Sequence, residues 1–327
     1  MSPDRPSYPT RREVIALGIG AFIVAVVPLA ERRRPRPVRR TLPVMGTIAE
    51  ILVVDARVDR AEAAIDGAFA ELTTVDRTMS RFRTDSDIGR ANAMAAAAPV
   101  VVGAATADVI GHALEWARLS EGAFDPAIGR VVELWDVTHR DAPPPDEGVR
   151  RLAGRQLHRA VELGRERGRH AVRFATDDVH LDLGGIAKGH GVDRAVDALR
   201  ARGIENALVN VGGDLYALGH GASGSPWRVG VRSPTDPDGL VATVEASDSA
   251  IATSGDYEQF FRYRGMAYHH VMDPGTASPR RGAMHSATVR AATCLDADAG
   301  ATAVFNMATE QASGVLAVRG AQLVTAG

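Results

Sequence analysis

The sequence predicts an α+β fold, with mainly antiparallel sheets and helices packed on them. Strand-like and helix-like segments alternate too irregularly for a doubly wound parallel sheet. No repeat of solenoid type runs through the chain. Hydrophobic residues make up 45% of the 327 residues and charged residues 24%, enough to bury one sizeable core without disulfide or metal staples.

The elements follow in order. Thr47–Val54 (TIAEILVV) has strand character. Asp59–Arg77 places Ala61, Ile65, Ala68, Leu72 and Val75 near helical spacing, with Asp59 as its cap. Thr106–Ser120 repeats that pattern and stops at Gly122. Asp141–Glu147, with three consecutive prolines, reads as a loop. Val179–Leu183 reads as a strand, Lys188–Arg202 as an amphipathic helix ended by Gly203, and Ala207–Val211 as a strand running into Gly212-Gly213-Asp214. Trp227–Arg232, Leu240–Ala246 and Ser286–Ala292 are strands, and Asp296–Met307 is a helix. Val315–Val318 and Gln322–Val324 are expected to pair as a hairpin around Arg319-Gly320.

Residues 1–40 form a separate piece ahead of a single domain, 41–327. Thr10-Arg11-Arg12 precedes an uncharged run of 17 residues, Val14–Ala30. Paired arginines before a short apolar run are the pattern of a twin-arginine export signal. The run sits at the lower limit of bilayer-spanning length, so residues 14–30 serve as a cleaved signal or as a membrane anchor. The basic, Pro-rich stretch at 31–40 reads as a solvated linker. This predicts an exported protein, periplasmic or held on the outer face of the cytoplasmic membrane. A formal charge of −2 excludes nucleic-acid binding through bulk electrostatics, and the lone Cys294 excludes an intrachain disulfide or a Cys-rich zinc site.

Several segments carry more chemistry than a core requires. LDLGGIAKGHGVD (181–193) delivers Asp182 into a Gly-rich turn, with Lys188 at the start of a helix, an arrangement suited either to an anion or to a tight strand-to-helix turn. In CLDADAGAT (294–302), Asp298 and Thr302 lie four apart and share a helix face. A carboxylate and a hydroxyl so placed suit Mg²⁺; acidic residues also favour a helix start. YHHVMDPGTASP (268–279) offers His269 and His270 for acid–base work near neutral pH. MSRFRTDSDIGRAN (79–92) sets Phe82 among arginines, where a flat ring can stack, and EGAFDPAIG (121–129) is a loop with an acid and a proline.

In order, MGT, MSRFRTDSDIGRAN, GAFDPAIGRVVELW, LDLGGIAKGHGVD, NVGGD, SGDYE, HVMDP and DADAGAT resemble the ApbE family of FAD:protein FMN transferases from about Met45 to about Met307. The resemblance implies transfer of FMN from FAD to a Thr or Ser hydroxyl of a partner protein, with release of AMP. The partner it implies is an exported or membrane redox subunit. It implies a Mg²⁺ held by Asp298, Thr302 and the backbone carbonyl of Gly185. Met45, Phe82, Ala123, Phe124, Asp125, Asp182, Lys188 and Met272 then correspond to FAD contacts, and His270 to the base that takes the acceptor's proton. Two departures stand out. The family's usual tyrosine is Phe82, which keeps a ring face and loses a hydroxyl. The family's HxxDPRTG is HVMDPGTA, so an arginine is missing at Gly275. Two other functions fit the same residues: an FAD pyrophosphatase giving FMN and AMP, and a non-enzymatic exported flavin-binding protein.

Overall fold

The computed structural model describes residues 37–234, 236 and 239–326. The expected export segment therefore lies outside the described residues, save for its last few positions. No helix among the described residues is long and apolar enough to cross a membrane.

The chain opens with the hairpin β1 (Val38–Val44) and β2 (Thr47–Val53), followed by α1 (Val58–Met79) and α2 (Asp87–Met94). Then come β3 (Val100–Val101), α3 (Ala104–Leu119), α4 (Gly129–Trp135) and α5 (Asp146–Leu152). After a short 3₁₀ turn, β4 (Val161–Glu166) and β5 (Arg169–Phe174) lead to α6 (Ala187–Ala201), β6 (Ala207–Val211) and β7 (Asp214–Leu218). The hairpin β8 (Trp227–Arg232) and β9 (Leu240–Ala246) precedes β10 (Ser249–Gly255). Two small hairpins follow, β11 (Phe260–Tyr263) with β12 (Met266–His269), and β13 (Met272–Asp273) with β14 (Ser278–Pro279). The chain closes with β15 (Ser286–Ala291), α7 (Cys294–Val304), α8 (Thr309–Ala317) and β16 (Gln322–Ala326).

The organising layer is a seven-stranded sheet, β1-β2-β6-β7-β10-β15-β16, antiparallel throughout. Side chains alternate across it, as strand geometry requires. Ile51, Val53, Val209, Val211, Ala250 and Ala252 face one core with α1, α3, α6 and α7. Leu52, Leu208 and Ile251 face the other side, where Trp227, Val229 and Val231 of β8 cover them. A third apolar cluster, with Trp135, Phe261 and Tyr268, packs α4 against the β11–β12 hairpin.

Four expectations are corrected. First, Val38–Arg40 is ordered strand: Arg39 pairs with Glu50, and Arg40 with Glu62 and Asp66 of α1, so local carboxylates neutralise the charges that suggested a linker. Second, Val179–Leu183 is no strand. The N–H groups of His180 and Asp182 bond to the carbonyls of Ala127 and Pro126, and the Asn92 side chain brackets Leu181 on both its backbone groups. Third, Val315–Val318 does not pair with Gln322–Val324. It ends helix α8, which buries Ala312 and Leu316 one turn apart, and β16 instead joins β15 at the sheet edge. A short apolar run does not distinguish these outcomes. Fourth, the loop at 141–147 ends inside α5, whose first residue is Asp146.

Candidate active site

Two helices build the centre of the site. α6 packs on β6 and β7 and α7 on β10 and β15, side by side on the sheet, and the N-terminal amides of α7 are capped from α6: the Asp193 carboxylate accepts from Cys294 N at 2.7 Å and Leu295 N at 2.9 Å. This fixes the register of α6 on α7. Gly189 is where they meet, since a Cβ there would lie 2.2 Å from the Cys294 carbonyl oxygen. The close approach lets Gly189 N–H donate to Asp298 Oδ2 at 3.0 Å.

One turn beyond Asp298, the Thr302 hydroxyl lies 3.1 Å from Ser254 Oγ on β10. The Gly-rich turn before α6 presses on the same spot. A Cβ on Gly185 would fall 3.0 Å from Thr302 Oγ1 and 3.2 Å from the Phe124 ring. The fold thus brings together Asp298, Thr302, Gly185 and Phe124, from three segments widely separated in sequence. With the Gly185 carbonyl, the Asp298 carboxylate and the Thr302 hydroxyl would make an oxygen-only donor set, the chemistry Mg²⁺ prefers. The second Asp298 oxygen has only a loose contact, 3.5 Å from Lys188 Nζ. These residues fit a hard divalent cation. No cluster of three or more His, Cys, Asp or Glu side chains able to hold a metal occurs among the described residues.

Lys188 lies in the first turn of α6. Its Nζ forms a close ion pair with Asp214 Oδ2 and approaches Asp298, so two acids flank one cation. Burial alone would lower its pKa; the charges of Asp214 and Asp298 outweigh that and raise it, so Lys188 stays protonated. The buried Asp214 carboxyl is pushed well above the usual range, first by desolvation and then by Asp298, with Lys188 pulling against both. Asp214 ends the NVGGD turn and was absent from the expected site residues.

The flavin side is more open. Phe82 is 81% exposed, and the Arg81 guanidinium stacks on its ring at 4.1 Å. Arg81 also holds Asp182 at 2.9 Å, and Asp182 accepts from Gly184 N at 2.8 Å, so this acid shapes the Gly-rich turn. Asp125 turns inward. Its carboxylate accepts from Ala127 N and is bonded by both His158 N and the His158 ring, so only its backbone remains for a ligand. Phe124 is buried beside Gly185, while Ala123 is partly open. Met45, in the left-handed turn between β1 and β2, sits against Gly191 on α6.

His270 lies between β12 and β13, its N–H bonded to the Gln259 carbonyl at 3.1 Å. Its Nδ1 is buried with no partner among the described residues. Burial, then the neighbouring His269, lowers its pKa to about 4, so the imidazole is neutral near pH 7 and able to accept a proton. His269 has a structural role: its Nε2–H donates to the Arg280 carbonyl at 2.7 Å. Met272 is buried just beyond, in β13. Besides Asp214, the residues missed in the sequence are Arg81, Ser254 and Arg280; Arg81, Asp214 and Ser254 fall within motifs that carry the resemblance, MSRFRTDSDIGRAN, NVGGD and SGDYE.

Comparison with known proteins gives a consistent result. The model of the ApbE family matches residues 45–324. A protein of Treponema pallidum named FAD:protein FMN transferase is 35% identical over 302 residues, covering 87% of this chain and 83% of that protein. One of the same name from Vibrio cholerae is 33% identical, over 84% and 82%. Among solved structures, the ApbE protein of Thermotoga maritima superposes with a TM-score of 0.80 at 30% identity, over 88% of this chain and 93% of that one. The flavin transferase ApbE of Vibrio cholerae gives 0.74 at 31%, over 88% and 93%.

Proposed function

The chain belongs to the ApbE family, and from that premise we propose that it is an FAD:protein FMN transferase, moving FMN from FAD to a hydroxyl of a protein acceptor and releasing AMP. The observation that carries this reading is the convergence of Asp298, Thr302 and Gly185 beside Phe124. A core needs no such oxygen-rich meeting point; a diphosphate does.

Asp298, Thr302 and the Gly185 carbonyl would hold Mg²⁺. When bound, that ion neutralises charge on the phosphoryl oxygens. The protein's own groups do the rest. The exposed Phe82 ring offers a stacking face for the isoalloxazine. Met45, Ala123, Phe124, Asp125, Asp182 and Met272 lie on the segments expected to border FAD, with Asp182 acting through the turn it shapes. Lys188, fixed between two acids, adds a positive charge beside the diphosphate. The acceptor's Thr or Ser oxygen attacks the FMN phosphorus in line, and the bond from that phosphorus to the bridging oxygen breaks. The bond's electrons leave with AMP, and the hydroxyl proton passes to the neutral His270.

The acceptor we propose is an exported or membrane redox subunit, met outside the cytoplasmic membrane. That placement rests on Thr10-Arg11-Arg12 and the apolar run at 14–30. Cell fractionation with and without residues 1–40 tests it. The activity is tested by incubating the protein with FAD, Mg²⁺ and a threonine-bearing acceptor domain. The acceptor should gain the mass of one FMN as AMP appears. AMP without an adduct would point to a pyrophosphatase, and FAD binding without AMP to a flavin carrier.

A further inference from the structure

We infer that Arg280 is a positioning residue of the transfer site, one guanidinium that fixes the backbones bearing the acceptor-side histidine, the flavin loop and the end of the metal-binding helix relative to one another. The inference rests on the proposed function for its meaning, though not for its geometry.

Arg280 follows β14 and is buried, yet no carboxylate forms an ion pair with it among the described residues. Its hydrogen bonds go to backbone carbonyls. Nε donates to Met272 O at 3.2 Å. One terminal nitrogen donates to Thr302 O at 2.9 Å and Phe305 O at 2.6 Å, with Ala303 O at 3.5 Å. The other donates to Ala123 O in a close contact. The Arg280 carbonyl in turn holds the His269 ring, next to His270. Three of these acceptors, Ala123, Met272 and Thr302, are residues already expected at the site.

Burying a charge without a counter-charge is costly. Part of that cost is offset at the C-terminus of α7, where unpaired carbonyls and the helix dipole favour a cation. An apolar side chain of similar size would fill the space without that cost. What it lacks is a planar fork of N–H donors with fixed directions, which sets distances between separate segments. Gly275 is exposed, and Arg280 is the one arginine or lysine in the 270–280 segment.

The test uses the full-length protein and the variants Arg280→Ala and Arg280→Lys. Amide hydrogen exchange is followed over 122–127, 270–274 and 301–306, with 207–218 in the sheet as control; FAD affinity is read by flavin fluorescence and transfer by FMN adduct mass. In Arg280→Ala the three segments should lose protection together while the control stays protected. FAD should bind about tenfold more weakly, and transfer at saturating FAD should fall about 100-fold, the scale for misplacement by an ångström. Guanidinium chloride at about 20 mM, unlike NaCl, should restore at least tenfold of the lost rate. If Arg280→Ala does not fold, Arg280→Lys keeps the cation but not the fork, and the same loss of protection should show there. Wild-type protection of the three segments, or a lost rate that guanidinium leaves unchanged, overturns the inference. If the wild-type protein binds FAD but transfers no FMN, the proposed function fails, while exchange and FAD affinity still decide the role of Arg280.

Discussion

Gly189→Ala separates what helix propensity predicts from what packing predicts. Gly189 lies inside α6, where alanine is favoured over glycine by about 1 kcal/mol, so propensity alone expects a more stable protein. The contacts say the reverse. The new methyl would sit 2.2 Å from the Cys294 carbonyl oxygen, 2.6 Å from its carbon and 2.9 Å from Asp298 Cβ. Two of these are backbone atoms, which no rotamer change moves. α6 and α7 must part by about an ångström, and overpacking against backbone atoms that cannot move aside costs about 2–3 kcal/mol, the upper part of the usual range. The same shift loosens the Gly189–Asp298 hydrogen bond and the Asp193 cap. Set against the propensity gain, the net loss is about 1–2 kcal/mol, which lowers Tm by roughly 2–6 °C in a domain of this size. Thermal unfolding followed by circular dichroism, with a Mg²⁺ titration of AMP release, reads both effects. A Gly189→Ala protein as stable as wild type or more so, with unchanged Mg²⁺ dependence, would refute the packing of α6 on α7 described above.

The other expected outcomes concern charge and protons. Asp298→Asn keeps the shape but removes the charge proposed to hold Mg²⁺; AMP release should fall by at least about 100-fold, the effect of losing several kcal/mol of charge stabilisation, and excess Mg²⁺ should recover part of it. His270→Ala should slow transfer by roughly 10²–10⁴-fold with FAD affinity nearly unchanged; equal loss of both would assign His270 to binding instead. With a His270 pKa of about 4, transfer by the wild type should show no loss from this group down to about pH 5 and should fall below it. Stability carries its own sign. His190, lowered to about 4 chiefly by burial, takes up its proton more readily when unfolded, so it costs stability as pH falls from 6.5 towards 4. Asp193, raised to about 6 chiefly by burial, acts oppositely, gaining stability as pH falls from 6 towards 4. His190→Gln should therefore remove up to one proton, ~1.4 kcal/mol per pH unit, from the acid-side loss, as measured by urea unfolding at pH 4.5, 5.5 and 6.5.

Where a segment's own periodicity sets its burial, sequence and structure agree. The apolar spacing from Ala61 to Val75 anticipates α1, but the helix starts one residue earlier, with Arg57 at its cap, and the expected cap Asp59 lies inside its first turn. β2, β6, β8 and β9 fall where expected, because alternation or a continuous apolar run was enough to mark them. Failures came where a partner distant in sequence decides. Arg39 and Arg40 look solvated until Glu50, Glu62 and Asp66 are placed beside them. Leu181 looks like strand until Asn92 takes the neighbouring strand's place.

The same division runs through the site. Asp298 and Thr302 share a face by helical periodicity alone, and the ordered motifs were enough to suggest the family and with it the chemistry. No spacing rule joins Gly185 to Thr302, Lys188 to Asp214, or Arg280 to Ala123, Met272 and Thr302 at once. Residue order fixes what lies within a turn or a hairpin, because covalent geometry sets those distances. Which acid neutralises Lys188, and which carbonyls receive a buried guanidinium, depends on segments up to 157 residues apart that meet only once the sheet and its helices close around a common core.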